Sequence, residues 1–196
     1  MAPAELEQAA SGVDAATVLA GRIPVTCRHL LALGCGDGAV GAEFLRRHPA
    51  CVVVGIERDM ARARRAAAVL PRVHCLDIEA GLLPRLPALP EVVLFAPGLL
   101  AGLDDPGAVL AEFASLLAPD GMVVACVPED EARFGSAAFH ALLDAAGLQA
   151  VDVDAPEGLG PQVHRVWRAA RRPAERFSVM STMLPPVGGV SQVRVV

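Results

Sequence analysis

Apolar residues along the chain fall into two patterns that alternate from about residue 29 onward. Short runs of consecutive apolar residues are typical of buried strands, and apolar residues that recur every three to four positions are typical of helices. The runs predict strands at 29–33, 51–56, 72–76, 92–95, 122–127, 148–153 and 163–169. The periodic stretches predict helices at 39–47, 59–70, 104–118 and 131–146.

The strands predict a sheet that helices cover on both faces. Because the apolar runs are nearly continuous, each strand is expected to be buried on both sides, as in a parallel sheet. Alternation with helices indicates a doubly wound α/β fold, a three-layer α/β/α sandwich. The link 155–161 holds Pro and Gly and has no room for a crossover helix, so the last two strands are expected to be antiparallel. We therefore predict a seven-stranded, mostly parallel sheet with an antiparallel last strand.

The two ends of the chain differ from this regular middle part. Residues 1–24 are predicted to form a helical lead-in, and 25–172 the α/β domain. Residues 173–196 form an apolar tail that carries no charge from Phe177 to Val193 and is interrupted by paired prolines and paired glycines. Because the tail ends in a strand-like run, we expect an extra strand at the sheet edge, a contact in a homodimer, or the start of a fused domain.

Composition and charge exclude several classes of partner. Aromatic residues make up 4% of the chain, too few for a protein that stacks bases on aromatic rings. The net charge of −5 repels phosphate backbones, which also argues against a nucleic-acid partner. No apolar stretch reaches the roughly 18 residues of a membrane span, and the first residues lack the basic region of a signal peptide. We therefore expect a cytoplasmic protein without a membrane span.

The cysteines and histidines are scattered along the chain. The five cysteines include no Cys-x-x-Cys pair, which argues against a zinc site and against a disulfide framework. The five histidines lack the spacing of metal ligands. We expect reduced thiols and no metal site.

A glycine-rich turn follows the first predicted strand. Gly34, Gly36 and Gly38 stand just before a helix, where glycine permits positive φ and lets a ligand approach bare main chain. Glu57 closes the second strand 19 residues after Gly38, and a carboxylate there can accept both hydroxyls of a ribose. A plain strand-to-helix turn explains the glycines alone, whereas the turn and Glu57 together indicate a nucleoside cofactor. Gly34, Gly36 and Ala39 also satisfy the loose dinucleotide-binding pattern, so two cofactors stay open here.

The spacing Gly34-x-Gly36-x-Gly38, together with the antiparallel seventh strand, resembles the first motif of the class I S-adenosylmethionine-dependent methyltransferases. Further segments are similar to later motifs of that family, namely 55–60, 75–78, 116–121 and 143–148. The resemblance covers about residues 13–170. One position departs from it, because the family usually has Asp or Glu where this chain has Ala32, and that carboxylate often helps to hold the methionine ammonium of the cofactor.

The resemblance implies S-adenosylmethionine as the cofactor and a role for each residue around it. The implied binding residues are Gly34, Cys35, Gly36 and Gly38 in the turn beside the methionine part, Glu57 on the ribose, Arg58, Asp77 and Ile78 at the adenine, and Phe95 and Ala96 beside the methyl group. Cys35 is expected to fill the small middle position of the turn and not to act as a nucleophile.

Methyl transfer from a sulfonium depends largely on alignment and exclusion of water, so the protein need not supply a nucleophile. A general base, where the acceptor needs one, is expected after the fourth or fifth strand. Residues 96–100 contain no base. Glu129 is the weak candidate for a base after the fifth strand, because an exposed helix start explains the acidic run 129–131 better.

We therefore predict a methyltransferase that acts on a small-molecule or saccharide-type acceptor. The short loops predict an open site, suited to a bulky acceptor or to closure by another domain or subunit. One alternative is a non-catalytic cofactor-binding or scaffold domain of a larger protein, which Ala32 and the lack of a base favour. The other is a nicotinamide-dependent oxidoreductase, although nothing after the sheet provides a substrate domain with a catalytic acid.

Overall fold

Strands and helices alternate along the chain in the computed structural model, which describes residues 15–80, 86–128, 134–156, 159 and 164–171. The strands within these residues are β1 His29–Leu33, β2 Val52–Glu57, β3 Arg72–Cys75, β4 Val92–Phe95, β5 Met122–Pro128, β6 Leu148–Asp154 and β7 His164–Arg171. The α-helices are α1 Ala15–Ala20, α2 Ala39–Arg47, α3 Met60–Ala66, α4 Pro106–Leu116 and α5 Ser136–Ala145. Short 3₁₀ turns follow β3 at Ile78–Ala80 and β4 at Leu100–Gly102.

The strands form a single sheet in the order β3-β2-β1-β4-β5-β7-β6. Strands β1 to β5 pair in parallel, so their carboxyl ends meet at one edge of the sheet. Strand β7 runs antiparallel to both β5 and β6 and lies between them. The predicted fold class is confirmed, including the antiparallel last strand.

Two apolar layers cover the sheet. On one face α1, α2 and α3 pack through Leu19, Phe44 and Ala66. On the other face α4 and α5 pack through residues that include Phe113 and Phe139. Successive strand residues point to opposite faces, so every inner strand contributes to both layers. This double burial is the reason for the continuous apolar runs in the sequence.

Side-chain caps fix where two of the helices begin. The Asp59 Oδ1 accepts a hydrogen bond of 2.8 Å from the main-chain N–H of Arg62 at the start of α3. In the same way Asp105 caps α4, with 2.9 Å to the N–H of Ala108. The predicted end of α3 at residue 70 is wrong, because the main chain after Ala66 continues as turns, in which the N–H groups of Ala68 and Val69 bond to carbonyls three residues before them.

Several predictions fall on residues that the structure does not describe. These are most of the helical lead-in, the first residues of the helix predicted at 131–146, and the whole tail at 173–196. Among the described residues, no helix combines the length and the apolar character that crossing a membrane requires. In the same part of the chain, His, Cys, Asp and Glu side chains do not gather in groups of three or more that could bind a metal ion.

Candidate functional site

A cavity of about 220 Å³ lies at the carboxyl ends of the parallel strands, where open α/β sheets bind their ligands. It is lined by Gly34 after β1, by Ile56, Glu57, Arg58 and Arg62 around the end of β2, by Leu76, Asp77 and Ile78 after β3, and by Ala96, Pro97, Gly98, Leu99, Gly102 and Leu103 after β4. A larger cavity of about 380 Å³ lies near the amino ends of β4 and β5 and contains none of the predicted site residues. The first cavity is therefore the candidate site.

Glu57 places a buried carboxylate at the centre of this edge. The residue ends β2 and is 7% exposed. Its Oε2 accepts a hydrogen bond of 2.8 Å from the main-chain N–H of Gly36, and its Oε1 accepts one of 3.0 Å from the N–H of Asp59. A carboxylate oxygen has two lone pairs, so each oxygen keeps one for a further donor. Glu57 can therefore accept two hydroxyl groups while the main chain holds it in place.

The three glycines of the turn have different structural roles. Gly34, Gly36 and Gly38 all have positive φ, at 62°, 57° and 87°. A Cβ on Gly38 would lie 2.9 Å from a methyl carbon of Val69 and 3.2 Å from the Cα of Ala66, so close packing against the end of α3 and the turn after it requires glycine at this position. A Cβ on Gly36 would have no atom within 4 Å, which means that the main chain there faces open space. Within the turn, Gly38 is therefore packed against the protein, whereas the main chain at Gly36 is open to a ligand.

Cys35 points its thiol away from the cavity and under the turn. Its Sγ lies 2.8 Å from the position that a Cβ on Gly55 would take, so the thiol fills the space left by that glycine in β2. Burial, and after it the charge of Glu57, raise the pKa of the Cys35 thiol to about 11. The thiol therefore stays protonated at neutral pH and is a poor nucleophile.

The wall after β3 carries the polar side of the cavity. Ile78 is buried and begins the 3₁₀ turn, while the exposed Asp77 precedes it. The Asp77 Oδ1 accepts a hydrogen bond of 3.0 Å from the main-chain N–H of Glu79, which fixes the orientation of the carboxylate. The guanidinium-bearing residues Arg58 and Arg62 line the cavity next to this wall. Carboxylate and guanidinium groups therefore lie together on the β2 and β3 side of the cavity.

The wall after β4 is apolar. It consists of residues 96–99 together with Gly102 and Leu103. The two methyl carbons of Leu99 would lie 3.1 and 3.2 Å from a Cβ on Gly34, so this side chain packs directly against the first glycine of the turn. The wall therefore packs against the β1 end of the cavity.

The cavity brings together six of the ten residues predicted to bind the cofactor: Gly34, Glu57, Arg58, Asp77, Ile78 and Ala96. Cys35, Gly36 and Gly38 lie in the adjacent turn and do not line the cavity. The Phe95 ring is fully buried in the core, where it meets Phe113 edge-on at 6.2 Å. Glu129, the candidate base, lies outside the described residues.

The sequence reasoning did not assign the other eight lining residues to the site: Ile56, Arg62, Leu76, Pro97, Gly98, Leu99, Gly102 and Leu103. Arg62 lies in the first turn of α3, and its place just after the carboxyl end of β2 was the available signal. Leu99 and Leu103 lie in loop segments without periodicity, so nothing local marks them as site residues.

Ala32, the position at which the chain departs from the resemblance, lies within β1. It is 3% exposed and pairs with Gly55 on one side and Leu94 on the other. The carboxylates that line the cavity are Glu57 and Asp77, both on the β2 and β3 side. Among the described residues, none of the cavity's carboxylates therefore lies on the β1 and β4 side.

The chain is similar in sequence to several methyltransferases. The model of a family described as "precorrin methyltransferase domain" matches residues 11–172. Trans-aconitate 2-methyltransferase of Yersinia pestis is 32% identical over 116 residues, which are 59% of this chain and 44% of that protein. The enzyme of the same name from Azoarcus is 31% identical over 117 residues, 59% of this chain and 46% of that protein. The matched segment thus spans less than half the length of these relatives.

Solved structures show the same fold. A TehB-like S-adenosylmethionine-dependent methyltransferase from Corynebacterium glutamicum has a TM-score of 0.67 at 17% identity, over 86% of this chain and 94% of the other. The magnesium protoporphyrin IX methyltransferase of Synechocystis has a TM-score of 0.62 at 14% identity, over 80% of this chain and 76% of the other. Since the family model covers most of the chain, the chain belongs to the precorrin methyltransferase domain family, and it has the fold of the class I S-adenosylmethionine-dependent methyltransferases.

Proposed function

We propose that the chain transfers a methyl group from S-adenosylmethionine, bound in the cavity at the ends of β1 to β4, to a precorrin-type tetrapyrrole. The observation that carries the cofactor site is the Glu57 carboxylate, buried and held by two main-chain N–H groups beside the cavity. A ribose offers two adjacent hydroxyl donors, which match the two oxygens that Glu57 presents. The open space over Gly36 suits the close approach of the rest of the molecule.

The cofactor, when bound, supplies a sulfonium whose methyl group is already activated for displacement. The residues of this chain then bind, orient and exclude water. Glu57 holds the ribose hydroxyls, and Asp77 and the main chain of Ile78 contact the adenine edge. The main chain of Gly34 and Gly36 would face the methionine part.

The apolar wall after β4 would lie beside the activated methyl group of the bound cofactor. Ala96 and Leu99 keep water from the end of the cavity next to Gly34. In-line displacement gains most from such alignment in a dry site, because little solvent then has to be rearranged.

A tetrapyrrole acceptor is supported by two observations. The family that matches residues 11–172 is described as a precorrin methyltransferase domain. The wall after β4 is apolar, which suits contact with the hydrocarbon part of a large ring system. This proposal narrows the broader expectation of a small-molecule or saccharide-type acceptor.

Calorimetry with the wild-type chain tests the cofactor. We expect heat of binding with S-adenosylmethionine and with its demethylated product S-adenosylhomocysteine, and none with NAD. Absence of heat with the first two ligands at about millimolar concentration would favour the scaffold alternative.

Transfer of a labelled methyl group tests the acceptor. The wild-type chain is incubated with methyl-labelled S-adenosylmethionine and either a precorrin mixture or trans-aconitate, the latter because the curated relatives are named for it. We expect label in the tetrapyrrole fraction. Label in trans-aconitate alone would contradict the acceptor and leave the cofactor site intact.

A further inference from the structure

Glu79 connects the two walls of the cavity without lining it. One wall follows β3 and includes Ile78, and the other follows β4 and ends at Leu103. The Glu79 Oε1 accepts a hydrogen bond of 2.8 Å from the main-chain N–H of Asp104 and one of 3.3 Å from the N–H of Asp105. These residues are 25 and 26 positions apart in the chain, so the connection joins two separate segments.

Both ends of this connection lie next to residues that line the cavity. On the β3 side, Glu79 follows Ile78 directly, and its own main-chain N–H donates to the Asp77 carboxylate at 3.0 Å. On the β4 side, Leu103 directly precedes Asp104. A single carboxylate therefore ties the two walls together within one or two residues of the ligand space.

We infer that Glu79 is a positioning residue that holds the two walls at the separation S-adenosylmethionine requires. The inference rests on the proposed function, since it assumes that this cavity binds that cofactor. Without the carboxylate, the N–H groups of Asp104 and Asp105 turn to water, and the direct link between the two walls is lost. A ligand that touches both walls must then order them on binding, which lowers its affinity.

A second role of Glu79 has to be separated from the first. The two N–H groups lie at the start of α4, so Glu79 also stabilises that helix. Asp105 provides a matched control, because its Oδ1 caps the same helix through the N–H of Ala108. Replacement of Asp105 by Ala removes the helix cap but keeps the main-chain N–H that Glu79 binds.

The test measures S-adenosylhomocysteine binding by calorimetry and thermal stability for the wild type, Glu79→Ala, Glu79→Gln and Asp105→Ala. We expect Glu79→Ala to raise the Kd about fivefold or more, because the ordering of a loop wall is transferred to the binding step. Glu79→Gln keeps an oxygen acceptor, so its Kd should stay within about twofold of the wild type. Asp105→Ala should lower the Tm but also stay within about twofold in Kd.

Each contrary result has a defined meaning. Three results would overturn the positioning role. These are wild-type affinity in Glu79→Ala, a loss of affinity in Glu79→Gln as large as in Glu79→Ala, and an equal loss of affinity in Asp105→Ala. If Glu79→Ala does not fold, Glu79→Asp replaces it, since the shorter side chain withdraws the same oxygen and the same loss is expected. If the wild type binds no S-adenosylhomocysteine, the proposed function fails and this inference fails with it.

Discussion

Replacement of Glu57 by Gln tests the cofactor site with almost no change in shape. The carboxylate accepts main-chain hydrogen bonds at both oxygens, 2.8 Å from Gly36 and 3.0 Å from Asp59. An amide has one oxygen, and its NH₂ group would face an N–H donor at the other position. The Gln variant therefore loses one of the two bonds whichever way the amide is turned.

The structure sets the size of the expected effect. A hydrogen bond to a charged group contributes about 1.5–3 kcal/mol, and solvent can reach the partly buried turn, so we expect the lower part of that range for the free energy of unfolding. For a chain of this size, about 1 kcal/mol corresponds to roughly 2–4 °C in Tm. A ribose hydroxyl loses its charged acceptor as well, so binding should weaken by about 1–3 kcal/mol, or roughly five- to 150-fold in Kd.

The assay combines calorimetry of S-adenosylhomocysteine with thermal unfolding, both at a temperature well below the Tm of the variant. The control is Glu43→Gln, the same chemical change on α2, where Glu43 pairs with Arg46 and Arg47 and does not line the cavity. The control should keep the wild-type Kd. Unchanged affinity in Glu57→Gln would refute the placement of the ribose, and an equal loss in the control would show that the effect is not specific to the site.

Three further predictions concern the turn, the thiol beneath it and the end of the sheet. Gly38→Ala should lower the free energy of unfolding by about 2–4 kcal/mol, because positive φ and close contact both oppose a Cβ. Gly36→Ala should lower it by only about 1–2 kcal/mol, because only the positive φ opposes a Cβ there. Urea unfolding compares the two variants, and equal losses would contradict the packing described. The pKa of Cys35 is raised from 9.0 to about 11, so the stability that the neutral thiol provides is present below pH 9 and is lost as the pH rises to 11. Cys35→Ala should therefore flatten the decline of Tm between pH 9 and pH 11. An unchanged slope of Tm against pH would refute the burial of the thiol. The Arg171 guanidinium donates hydrogen bonds of 2.7–3.1 Å to the main-chain carbonyls of Ala114 and Ser115 at the end of α4. Arg171→Ala should therefore lower the free energy of unfolding by about 1–2 kcal/mol. Wild-type stability in this variant would contradict the role.

The sequence by itself determined the elements of the fold and the chemical centre of the candidate site. Continuous apolar runs and helical periodicity are local properties of the sequence. They indicated the strands and helices because a strand that is buried on both faces of a sheet consists almost entirely of apolar residues. The glycine turn and Glu57 were also visible, since a positive φ and a carboxylate at a strand end are properties of single positions. The end of α3 was predicted too far along the chain, because the turn after Ala66 depends on main-chain bonds that periodicity does not reveal.

The tertiary structure alone decided how these parts meet. The place of β7 between β5 and β6 depends on pairing between strands far apart in the chain, and several orders satisfy the same apolar pattern. Leu99 against Gly34, and Glu79 against Asp104, are contacts between loops with no period of their own. The walls of the cavity therefore follow from long-range packing, which no local pattern in the sequence encodes.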